Sequence, residues 1–163
     1  MKKQKGFSLI ELLIVVAIIL IIAAIAIPNL MRARMSANEA SAVGSLRTIN
    51  TSEVQYNSTY NVGFADTLAK LGGAAATCTS ATGATSAGAC LIDDVLANAT
   101  SATTPKSGYY FTLAGSAGNT SYTCLGDPSA PGQSGQRHFF TDQSGVIRAD
   151  PAAAATVASQ PIQ

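Results

Sequence analysis

A single carboxylate stands at the edge of the most apolar stretch of the chain. Glu11 precedes Leu12 to Met31, a run of 20 residues without a charge. A charged carboxylate deep in lipid costs roughly 2.5–3.5 kcal/mol, so such a residue needs a partner or a function. The cysteines are a second reactive set. Cys78 and Cys90 flank an 11-residue loop that a disulfide would close in an oxidising compartment. Cys124 either stays a buried thiol or pairs with one of the other two. A zinc site built from these cysteines and His138 lacks the close C-x-x-C pairing such sites use. Ser134, His138 and Asp142 have the residue types of a hydrolytic triad, but no nucleophile elbow surrounds Ser134. Asp142-Gln143-Ser144-Gly145 offers oxygens to a hard cation and reads equally well as a hairpin turn. No catalytic residue, metal site or cofactor is expected from these groups.

Bulk composition points the same way. The 163 residues hold 10 Lys+Arg, 9 Asp+Glu and one His, for a formal charge of +1. That balance excludes a strongly basic nucleic-acid binder, and no direct nucleic-acid contact is inferred. Sparse acids and one His leave little material for acid–base catalysis, so the chain is not read as an enzyme. Hydrophobic residues make up 47% of the chain but aromatic ones only 6%, so the apolar content is aliphatic. It is concentrated in residues 7–31, unlike the spread-out core of an ordinary enzyme.

The elements follow from periodicity. As a helix, Leu12 to Met31 would reach about 30 Å, one bilayer core. Lys2, Lys3 and Lys5 before it favour a cytoplasmic start, and Arg32 and Arg34 close it on the far side. A plain anchor explains the run, as does a signal peptide cut near Ala24-Ile25-Ala26, but neither gains anything from Glu11. Pro28 removes a backbone donor and predicts a kink. Beyond it, Val43, Leu46, Ile49, Tyr56 and Tyr60 form one apolar face, carrying the helix to about Tyr60. Glu53 falls on that stripe and is placed at its rim, while Arg32, Arg34 and Glu39 lie on a solvated face or touch neighbouring copies.

The remainder reads as a small head. Residues 72–89 are Gly, Ala, Ser or Thr apart from Cys78, which predicts an irregular loop. A short helix follows at Leu91–Leu96. Tyr109–Leu113 and Ser121–Leu125 form a hairpin across Gly118-Asn119, and Arg137–Thr141 pairs with Val146–Arg148. The expected fold is α+β, a long kinked amino-terminal helix packed on a small antiparallel sheet. It divides into a leader (1–6), a transmembrane half-helix (7–31), an amphipathic half-helix (32–60), a head (61–148) and a flexible tail (149–163).

Gly6-Phe7-Ser8-Leu9-Ile10-Glu11-Leu12-Leu13-Ile14-Val15-Val16, continued through Ile27-Pro28, resembles the processing and methylation motif of type IV prepilins and type II secretion pseudopilins. The resemblance covers about 30 residues closely. It implies that a prepilin peptidase cuts between Gly6 and Phe7 and methylates the new amine of Phe7. It also implies a kinked helix at Pro28 and a homopolymer in which Glu11 answers the Phe7 amine of another copy. Cutting removes three lysines and takes the formal charge from +1 to −2. Further expectations are membrane lipid as the environment before assembly, an inner-membrane assembly machinery as partner, and an extracellular pilus for attachment, motility or DNA uptake. A periplasmic pseudopilus and a monomeric membrane-tethered binding domain are the alternatives.

Overall fold

A computed structural model describes residues 7–73, 78 and 83–162. Two compact units result, Met1–Arg34 and Met35–Gln163. Helix α1, Leu9–Tyr60, contributes to both. It ends at the expected residue because Asn61 takes a left-handed conformation, with φ of 52°. Pro28 lies inside it, and helical backbone is assigned on both sides of the proline.

In the second unit, α2 (Leu68–Leu71) and α3 (Asp94–Ala97) precede a five-stranded antiparallel sheet. Its strands are β1 (Tyr109–Gly115), β2 (Tyr122–Pro128), β3 (His138–Asp142), β4 (Arg148–Asp150) and β5 (Gln160–Pro161), neighbours in chain order. The α+β architecture expected from periodicity is the one observed. Tyr109, Phe111 and Leu113 alternate inward on β1, and Tyr122 and Cys124 do so on β2. They meet Ala42, Leu46, Ile49 and Tyr56 of α1 in one core. Register places Gly126 opposite Phe111 and Phe139. A side chain at Gly126 would press on the Phe111 ring at 3.2 Å, so the smallest residue makes room for the largest.

Four local expectations differ. The short helix starts later, at Asp94, because Asp93 Oδ2 accepts the Leu96 N–H and caps it. The last hairpin pairs Arg148–Asp150 rather than Val146–Arg148 with β3, since Asp142 accepts the Ser144 N–H and widens the turn. Part of the segment expected as a flexible tail is built into the sheet. There β5 pairs with β4, Ala155 is buried, and the Ile162 N–H donates to Ile147 O. Glu53, placed at the rim from sequence, is wholly buried.

Glu39 is not left on a solvated face either. Its Oε1 accepts the N–H groups of Gln136 and Arg137, and its Oε2 accepts Arg137 Nε at 2.8 Å. One turn-neighbour, Asn38, donates to Ser134 O at 2.7 Å. Together they clasp the segment leading into β3 onto α1. Burial works to raise the Glu39 carboxyl, but the backbone and guanidinium donors outweigh it and hold it below the usual value. The stability this confers is present at neutral pH and lost as pH falls through that depressed value. Glu39→Ala is therefore expected to destabilise the head by about 1–3 kcal/mol through the loss of hydrogen bonds to a charged carboxylate. Thermal unfolding at pH 7 and pH 3 checks this: the wild-type advantage over the variant should shrink at the lower pH.

Candidate assembly and processing site

The first unit is built around an unmet demand for burial. Every large apolar side chain from Phe7 to Met31 is exposed in the isolated chain, Phe7 itself by 78%. The helix is long and apolar enough to cross a membrane, and its most apolar stretch buries nothing. Fully burying such side chains is worth ~1.5–3 kcal/mol each, so lipid or other helices must cover them.

At its head the helix shows how Glu11 is handled before any partner arrives. Glu11 Oε2 accepts the Ser8 N–H at 3.0 Å, and the Leu12 N–H donates to Ser8 O. Ser8-x-x-Glu11 is thus half of a capping box, satisfying one of the free N–H groups at a helix start. The carboxylate also sits at the positive end of the helix dipole. Among the described residues Glu11 has no cation as partner. Gly6, the expected cleavage residue, lies outside the described residues, as does the whole leader. Phe7 is described and carries no hydrogen-bonded structure of its own. Arg32 and Arg34, further along, are exposed.

The other candidates separate from one another. Ser134 Oγ donates to Ala130 O, Asp142 closes its own turn, and His138 Nδ1 lies 2.6 Å from Asp127 Oδ1. The three triad-like residues therefore share no hydrogen bond with one another. No group of three or more metal-binding side chains occurs among the described residues. Cys78 and Cys90 are bonded, with Cα atoms 5.7 Å apart. Cys124 is buried and free, and burial pushes its thiol far above its usual value, so it stays unreactive.

Two features of the head escaped the sequence. The Asn38–Glu39 clasp gave no signal, because its partners lie almost a hundred residues away. Asn50 had one: a lone amide beside the apolar stripe. It accepts from Tyr122 Oη at 2.9 Å and donates to Thr141 Oγ1 at 2.9 Å, pinning α1 to two strands.

Comparison with known proteins concentrates on the same segment. Residues 1–27 match the family model of the prokaryotic N-terminal methylation motif. A type IV wide pilus major component, PilA4 of Thermus thermophilus, is 64% identical over 39 residues, 24% of this chain and 30% of the relative. The type IV major pilin protein PilA of Myxococcus xanthus is 43% identical over 54 residues, 33% of this chain and 24% of the relative. The chain thus spans less than a third of the length of these curated relatives. No solved structure matches.

The disulfide yields a direct test. Cys90→Ser should lower the head's stability by about 2–4 kcal/mol through the freed loop. Thermal melts with and without reductant check it, and reductant should have no further effect on the variant. In its methylation motif and over the 39 and 54 residues that these relatives match, the chain is similar to type IV pilins.

Proposed function

We propose that the chain is a subunit of a type IV pilus, held in the inner membrane as a prepilin until assembly. In this reading a prepilin peptidase cuts between Gly6 and Phe7 and methylates the Phe7 amine. Residues 7 to about 60 then polymerise with other copies into an extracellular fibre, loaded by an inner-membrane machinery. One observation carries the reading: an apolar helical segment up to Met31 whose large side chains are all exposed and which bears one carboxylate, whose donor within its own chain is a backbone N–H.

The energetics separate two steps. Lipid covers aliphatic side chains as well as a neighbouring helix does, so burial drives insertion without choosing assembly. The charges choose. Cutting creates a cation at a helix start, where the dipole is already positive, and Glu11 of another copy neutralises it in a low-dielectric surrounding. Losing one partner of such a pair costs ~3–5 kcal/mol. The fibre's use in attachment, motility or DNA uptake is what the resemblance to type IV pilins implies. Both relatives are named as pilus components, which favours a pilus over a pseudopilus.

The intact mass and first residue of the protein recovered from cells test the processing step. A start at N-methylated Phe7 is expected. A start at Ile27 would mean ordinary signal cleavage, and a retained Met1 a plain anchor. For the assembly step, Glu11→Ala is expected to insert normally and to abolish surface fibres. Normal fibre yield from that variant would refute the charge-pairing step.

A further inference from the structure

Among the described residues Glu53 is the one carboxylate with no exposed surface. Its Oε2 accepts the Ala65 N–H at 2.8 Å, and its Oε1 is buried without any partner. The donors around it are committed elsewhere. Tyr122 Oη donates to Asn50, Tyr56 Oη to Ser86 O, and Ser52 Oγ to Leu91 O. Lys70, the cation of this corner, is bound to Asp66 Oδ2 at 2.8 Å. Asp66 Oδ1 is likewise buried without a partner, on the residue next to Ala65. An ionised carboxylate has about four acceptor sites, and burying it with one backbone donor is strongly unfavourable.

We propose that Glu53 is folded as the neutral acid and acts as a proton-coupled latch for the segment joining α1 to α2. The protonated carboxyl keeps its accepting oxygen on Ala65 and sheds the charge that its buried, partnerless Oε1 would otherwise hold without a donor. The segment it secures is shaped to be seated rather than rigid in itself. Gly63 has φ of 86°, and a side chain there would collide with Asn119. The Phe64 N–H donates to Asn119 O at 2.8 Å, and the Phe64 ring packs against Tyr122 at 5.1 Å. Ala65, bonded to Glu53, is fully buried.

The groups facing Glu53 give no relief from its charge. Asp66 on the segment is an anion, Tyr56 on α1 and Tyr122 and Cys124 on β2 are neutral, and each is itself pushed up or paired. Burial raises the Glu53 carboxyl to about 7, with the Ala65 N–H opposing and the Asp66 charge adding. A folded-state value above the unfolded one stabilises most at acid pH, and the contribution is lost as pH rises through about 7. The latch is therefore closed in acid surroundings and loosens as pH approaches and passes neutrality.

Hydrogen exchange of the Ala65 amide tests this in the full chain in detergent micelles, corrected for intrinsic base catalysis. Protection in the wild type should fall by up to about tenfold per pH unit between the unfolded value of 4.5 and the folded-state midpoint near 7, and level off above it, as one-proton linkage requires. Glu53→Gln keeps an acceptor for Ala65 and should remove that slope. Asp66→Asn, which leaves Glu53 in place, should move the midpoint to lower pH. A pH-independent Ala65 in the wild type, the same slope in Glu53→Gln, or an unmoved midpoint in Asp66→Asn would each overturn the proposal.

Discussion

Everything in the amino-terminal unit follows from an apolar helix that its own chain does not cover. From Phe7 to Met31 the large side chains stay exposed. Burying them is worth tens of kcal/mol in sum at ~1.5–3 kcal/mol each, far beyond the net stability of a small domain. That energy is non-directional, however, and a bilayer collects it as readily as a bundle. In the proposed assembly, direction and register come from the single carboxylate. Glu11 is held at its own helix start by the Ser8 N–H, a weak and exposed contact that a cation can replace.

The head obeys the opposite economy, with burial complete and polar groups fixing the geometry. Leu46, Ile49 and Tyr56 supply the apolar seam, but the alignment of α1 on the strands is set by Asn50, Glu39 and Asn38. Hydrogen bonds of this kind add little net stability when made and cost more when broken, which favours one seating over sliding along the seam. The disulfide Cys78–Cys90 restrains a segment too poor in apolar residues to hold itself. Polar anchoring at both ends of the amphipathic half-helix thus makes the head a fixed attachment rather than a loosely docked cap.

How far the sequence could be read depended on the range of the interactions. The helix end at Tyr60 and the β1–β2 hairpin were legible, because periodicity and turn residues act over a few positions. The closing turn before β4 was misjudged by about two residues, since Asp142 bonding to Ser144 competes with strand pairing. Glu53 was misplaced for a clearer reason. Charge alone argues for the rim, and only the approach of Ala65 supplies the donor that lets it go inside. The edge strand β5 was invisible because Gln160-Pro161 has no strand composition, and pairing with β4 alone creates it. At the amino-terminal end the motif was local and therefore readable, although the Ser8-x-x-Glu11 cap within it went unread.

The central claim is that Glu11 of one copy meets the Phe7 amine of another. Solid-state NMR on fibres assembled from a mixture of 15N-labelled and 13C-labelled copies reads this contact directly. The account predicts a correlation between the Phe7 amine nitrogen and the Glu11 carboxyl carbon that can arise only between different copies. Well-ordered fibres in which that correlation is missing, or appears only when both labels share one chain, would contradict it.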